Sequence, residues 1–244
     1  MVFSSSVFLF LFLPLVLLGY ALTPRVLKNT FLLLASLFFY AWGETFFVLV
    51  MLSSIIINYL LGLGVDRWRT APLGKVMVVL AVVANLALLV AFKYANFLVD
   101  SLNPLLVYFG ATPITLAPVH LPIGISFFTF QALTYVVDTY RGHANVQRNP
   151  VNVATYIALF PQLIAGPIVR YEDIARELKS RRVTWEDFST GAARFTVGLG
   201  KKMLMANTVA VPVDRIFALP GDELTLGLAW LGVLFYTLQI YFDF

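Results

Sequence analysis

From Thr30 to Leu63 the chain runs for 34 residues with one charged side chain, Glu44. Written as a single helix, that run would measure about 51 Å at ~1.5 Å per residue, too long for a hydrocarbon layer of roughly 30 Å. A tight turn at Gly43 and Glu44 resolves it into two spans, about 30–42 and 45–63. Comparable apolar runs recur at 3–22, 76–99, 121–138 and 224–244. The expected fold is all-α, a polytopic integral membrane protein.

Composition supports this. Charged residues make up 12% of the chain and hydrophobic ones 60%; a soluble domain carries roughly twice that charged fraction. The lipid bilayer is thus the first partner implied. Cysteine is absent, which removes disulfides, thiolate nucleophiles and thiolate metal ligands. The two histidines, His120 and His143, are too few and too far apart in sequence to suggest a metal site. The net charge of +4 belongs to loop residues that orient a membrane protein, so no nucleic-acid partner is expected. The first run, 3–22, lacks a basic leader and a small-residue cleavage site, and reads as a retained helix with Pro14 inside it.

Basic residues set the orientation. Arg25, Lys28, Arg67, Arg69, Lys75, Arg141 and Arg148 fall in the loops after the first, third and fifth spans, and the loops after the second and fourth have none. By the positive-inside rule the N-terminus is extracytoplasmic. Arg170, Arg176, Lys179, Arg181 and Arg182 also belong on the cytoplasmic side. The intervening apolar segment, 151–169, should therefore enter and leave on one face, and its Pro161, Gly166 and Pro167 supply the breaks a re-entrant segment needs.

Several stretches fit the pattern of spans less well. The loop 100–120 carries Pro104, Pro113 and Pro118 and either dips into the membrane or lies on it, with His120 at the interface. Lys93 snorkels from the end of its span, while Asn58 and Asn85 pack helices by hydrogen bonding. Residues 171–200 form interfacial amphipathic helices. Tyr171, Ile174 and Leu178 make one apolar stripe; Trp185, Phe188, Ala192, Phe195 and Leu199 make another, with a capping box at Thr184 and Asp187. Anchoring at the interface and covering the mouth of a membrane cavity both suit these helices. Residues 203–219 contain Pro212, Asp214 and Arg215 and make a poor span. One membrane domain, 1–244, is the expected organisation; the chain stops inside an apolar helix at YFDF and reads as incomplete there.

Polar residues within the apolar runs are the candidates for chemistry. In LPIGISFFTFQALTYVVDTYRG, Gln131, Tyr135 and Asp138 lie on one helical face, with Arg141 one turn on. Gln162 sits in the broken segment, and Tyr236, Gln239 and Asp243 follow three-then-four spacing near the end. Such residues either line a site or only pair between helices; Asp138 and Arg141 can simply pair with each other at a helix end.

Two runs, PIGISFFTFQALTYVVDTYRG (Pro122 to Gly142) and FPQLIAGPIVRY (Phe160 to Tyr171), resemble the signature blocks of the membrane-bound O-acyltransferase family. FKYANF at 92–97 and the closing YFDF fit its alginate-acetylating branch, and the resemblance extends from Met1 to Phe244. One departure is Gln162, where that branch often carries His. The resemblance covers only the amino-terminal part of the family pattern and so implies an incomplete form of its fold. It implies transfer of an acetyl group from a cytoplasmic thioester, acetyl-CoA, to hydroxyls of an exported polysaccharide such as alginate, with no bound cofactor and no metal. It also implies residence in a bacterial cytoplasmic (inner) membrane and extracytoplasmic or periplasmic acetyl-transfer partner proteins. The family's catalytic histidine is expected beyond Phe244, and neither His120 nor His143 inherits its role. Gln131, Tyr135, Asp138, Arg141, Gln162, Tyr236, Gln239 and Asp243 would then line the substrate tunnel. D-alanyl transfer to teichoic acid, a transporter or flippase, and a non-catalytic fragment that scaffolds a partner are the alternatives.

Overall fold

In the computed structural model, which describes residues 3–164 and 166–244, all regular structure is helical. Met1, Val2 and Ala165, the last inside the expected re-entrant segment, lie outside the described residues. Among the described residues, three stretches are long and apolar enough to cross a membrane: Phe47–Arg67, Pro72–Tyr108 and Leu226–Asp243, beside a shorter apolar helix at Phe8–Leu22. The chain is an integral membrane protein.

The chain divides into two compact units. Residues 10–181 form the first. It contains α1 (Leu13–Leu22), α2 (Lys28–Ala41), α3 (Phe47–Arg67), α4 (Pro72–Leu89) and α5 (Ala95–Tyr108). It goes on with α6 (Ile125–Arg141), α7 (Pro150–Ala158), α8 (Phe160–Leu163) and α9 (Tyr171–Ile174). The expected turn at Gly43 and Glu44 separates α2 from α3. α6 packs against both α3 and α4, and α7 fits between α2 and α3. Asn58 on α3 and Asn85 on α4 exchange amide hydrogen bonds at 3.2 and 2.7 Å, as helix-packing residues should.

Glycines admit the closest approaches. A Cβ at Gly62 would lie 2.4 Å from the Tyr135 ring, so the tyrosine can come this close to α3 only where α3 has no side chain. Gly142 ends α6 in the left-handed conformation, φ 74°, with its N–H turned back to Asp138 and Thr139 carbonyls.

The structure departs from the sequence reading along 100–120. No loop begins at Asp100: α4, a π-helical turn at Val90–Tyr94 and α5 make one helical run to Tyr108. The extended stretch after it is held by two side-chain amides of α5. Asn103 accepts from Ile114 N–H (2.8 Å) and donates to its carbonyl (3.0 Å), and Asn96 accepts from Val119 N–H (2.9 Å). His120 is more than an interfacial residue. Its ring stacks on Phe47, centroids 4.9 Å apart, and Nε2 meets the Glu44 carboxylate at 3.1 Å. Glu44, 5% exposed, also accepts from Ile123 N–H at 3.1 Å, so the residue expected only to turn the chain also clamps the entry to α6.

The second unit comprises residues 182–244 with residues 3–9. α10 (Trp185–Gly200), a π-helical turn (Lys201–Ala206) and α11 (Asn207–Phe217) follow one another without a break, so the two elements expected at 171–200 and 203–219 share one helical run from Trp185. The Thr184–Asp187 capping box is formed. α12 (Leu226–Asp243) packs on α11 at Gly232, where a Cβ would meet Ile216 at 2.9 Å. The two apolar stripes of 171–200 have different fates. Tyr171 and Leu178 are buried in the core of the first unit with Ile174 packed beside them, whereas Trp185, Phe188 and Phe195 are exposed.

Candidate functional site

The polar face of α6 is buried. Gln131 and Tyr135 have no exposed surface and Asp138 is 3% exposed, while Arg141 points outward. The three buried residues recur at steps of four and three, so one turn of helix carries each to the same side. What lies against them is the broken segment. Asn149 caps α7 by accepting from Val151 N–H at 2.9 Å, and Pro150 occupies the first turn. Pro161 has no N–H to extend the ladder; α7 stops at Ala158, α8 lasts one turn, and residues 166–170 carry no regular structure before α9.

Tyrosines bind this segment to α6. Tyr156 donates its hydroxyl to the Val169 carbonyl (2.7 Å) and shares a 2.6 Å contact with the Thr134 hydroxyl on α6. Tyr171 packs edge-on to Tyr135, centroids 4.9 Å apart, and donates to the Asn145 carbonyl at 3.0 Å. Burial pushes the Tyr171 phenol up to about 12, so it stays a donor at any physiological pH. Gln162 is buried and donates from Nε2 to the Tyr156 carbonyl at 2.6 Å. A Cβ on Gly166 would lie 2.6 Å from Gln162 Cα, so the fold back on α8 requires glycine there.

Gln131 differs from its neighbours. Both amide atoms, Nε2 and Oε1, are buried with no hydrogen-bond partner, as is the Thr129 hydroxyl two residues earlier. A buried amide left unpaired costs about 1–3 kcal/mol, which a purely structural helix would remove by placing an apolar residue there. Asp138, by contrast, does not pair with Arg141 as the spacing allowed. Its Oδ2 accepts from the Glu172 N–H at 3.3 Å, across to the first turn of α9.

Glu172 in turn meets His143 Nδ1 at 3.3 Å and Arg170 at 2.5 Å. Asp138, His143 and Glu172 thus bring one possible ligand atom each within 4.8 Å of one another, a convergence the distance between the two histidines in sequence gave no sign of. Each of these groups already has a protein partner, and the cluster is satisfied as it stands. Tyr156, Thr134 and Glu172 were not singled out from the sequence. The first two sit inside the apolar runs that suggested the site, and only their facing one another gives them a role.

The remaining candidates lie in the second unit. Tyr236 is half exposed and packs edge-on to Phe217, centroids 6.1 Å apart. Gln239 has a buried, unpartnered Oε1. Asp243 forms an ion pair with Lys202 and lines a cavity of about 540 Å³ with Phe195, Tyr241 and Phe244.

Comparison with known proteins gives a consistent result. The chain is 46% identical over 246 residues to a probable alginate O-acetylase of Pseudomonas putida, and 45% identical to one of Azotobacter vinelandii. It is 30% identical over 276 residues to a peptidoglycan O-acetyltransferase of Helicobacter pylori. Each alignment covers 100% of this chain and 49–51% of the relative, so the chain spans about half the length of these proteins. No family model and no solved structure matches it.

Proposed function

We propose, from the chain's membership of the membrane-bound O-acyltransferase family, that it forms part of a membrane O-acetyltransferase. The acetyl group would come from a cytoplasmic thioester, acetyl-CoA, and go to hydroxyls of an exported polysaccharide. Alginate is the acceptor favoured by the names of the relatives, with peptidoglycan the second, since one relative is a peptidoglycan O-acetyltransferase. The same reading places the protein in the bacterial inner membrane, N-terminus outward, working with extracytoplasmic acetyl-transfer partners.

The observation that carries this reading within the chain is Gln131. A buried amide with neither atom paired, on a helix face roofed by a broken segment, suits a group waiting for a substrate carbonyl or hydroxyl. Tyr135, Asp138 and Gln162 hold the surrounding wall, and Tyr156 and Tyr171 tie down the chain on either side of Arg170. The base that takes the acceptor's proton, a histidine in this family, is assigned to the part of the family pattern outside residues 1–244. Its efficiency would depend on a pKa near working pH.

The test is Gln131→Leu in the whole protein, read as acetate released by mild base from the cell's polysaccharide. Leucine keeps the volume and removes an unpaired amide, so thermal stability in detergent should hold or rise. Acetylation should fall tenfold or more, roughly 1–3 kcal/mol of transition-state stabilisation. Unchanged acetylation in a stable variant would reduce Gln131 to packing and remove the support this chain gives the proposal.

A further inference from the structure

Beyond orienting the chain, the cations at the end of α1 converge on one aromatic ring. Lys28 Nζ lies 4.2 Å from the centre of the Tyr20 ring, and the Arg181 guanidinium lies 5.8 Å from the same centre. Arg181 also donates to Asn29, which itself donates to Asn152 (2.6 Å) and to the Leu178 carbonyl (2.7 Å). The arginine is therefore held in place by a bonded scaffold. Arg25 stands three residues before Lys28, on the same helical face.

Among the described residues, no ion pair involves Arg25, Lys28 or Arg181. The helical run that starts at Arg25 and continues through α2 has no side-chain cap and no acidic residue in its first turn. Its opening N–H groups add partial positive charge to the same place. Two cations share one tyrosine ring beside an uncapped helix start, Arg181 held there by Asn29, and a bound anion would lower their mutual repulsion. The ring itself offsets only a small part of that repulsion.

We propose that Lys28, Arg181 and the start of the Arg25–Ala41 helical run form a binding site for a phosphate group, with Tyr20 as its floor. Phosphate suits the geometry: an arginine fork, a lysine point charge and backbone donors are its usual ligands. Such basic pockets beside membrane helices on the cytoplasmic side take lipid headgroups. A phosphate of a soluble nucleotide donor has the same chemistry, so the experiment separates the two sources.

The whole protein is purified in dodecyl maltoside and titrated in two arms. One uses dioctanoyl phosphatidylglycerol against dioctanoyl phosphatidylcholine; the other uses adenosine 3′,5′-bisphosphate. Saturable binding in the first arm, selective for phosphatidylglycerol, assigns the site to a lipid headgroup; binding in the second assigns it to a nucleotide. In the arm that binds, Lys28→Gln should weaken affinity about fivefold, and Lys28→Gln/Arg181→Gln about twenty-five-fold. Arg181→Lys keeps the charge and should retain most of the affinity, which guards against a loss caused by misfolding. Absence of binding in both arms, or affinity unmoved in the double variant, overturns the proposal.

Discussion

Gly62 of α3 and Tyr135 of α6 occupy one space: the tyrosine ring fills the position that a Cβ at residue 62 would need. Tyr135 also carries the edge of Tyr171, and through it the start of α9. Gly62→Ala should therefore lower the melting temperature in detergent, by an overpacking cost of about 1–3 kcal/mol. Adding Tyr135→Leu should recover part of that loss in a double-mutant cycle. Strictly additive effects would show that the two helices move apart easily.

The Asn58–Asn85 exchange predicts a second coupling. Asn58→Leu alone leaves the partner amide short of one hydrogen bond in an apolar setting. The pair Asn58→Leu/Asn85→Leu removes the demand altogether. Coupling of about 0.6–2 kcal/mol is expected, read from reversible unfolding in detergent. Each amide also bonds a carbonyl one turn back on its own helix, which keeps the coupling towards the lower figure.

Orientation can be read directly, because the chain has no cysteine of its own. With Ser5→Cys and Thr70→Cys made singly, an impermeant thiol reagent on spheroplasts should label position 5 and spare position 70. Labelling at 70 alone would reverse the topology.

Single cysteines at Arg148 and Lys179, both exposed, should report the same side of the membrane. They flank the broken segment, and the tyrosine contacts that return it to α6 suit a segment that does not cross. Opposite accessibility would make 151–169 a true span.

The capping box at the start of α10 gives a pH dependence with a definite sign. Hydrogen bonds from the Thr184 N–H and hydroxyl hold the Asp187 carboxyl below its usual value. A carboxyl lowered in the folded state adds stability above its unfolded pKa, and loses that contribution as pH falls through the folded value. Amide exchange in the first turn of α10 should speed up below about pH 4 relative to the rest of that helix. Asp187→Asn should exchange faster at neutral pH and show a flatter profile.

Helix existence was legible because apolar runs and their breakers are local. Gly43 and Glu44, Pro161 and the Thr184 box all sit where composition marked them. The continuity of α4 with α5 was not legible, because Pro104 and the prolines after it read as a loop while Asn96 and Asn103 gave no sign of reaching across. Within the site, spacing alone placed Gln131, Tyr135 and Asp138 together on one buried face. Partners escaped it. Asp138 looked toward Arg141, three residues away, yet meets a backbone N–H at residue 172, and no periodic pattern encodes a contact made between segments.

The stretch from Ile114 to Val119 is gripped at two points by asparagines seven residues apart on one helix. Those two grips act as a ruler laid along the chain. Side chains between them are free to change, since nearly all are exposed, but the number of residues is not. One inserted residue would leave either Asn96 or Asn103 facing the wrong peptide. This surface segment should accept substitution widely and tolerate almost no change in length, the reverse of what an exposed, proline-rich connection ordinarily allows.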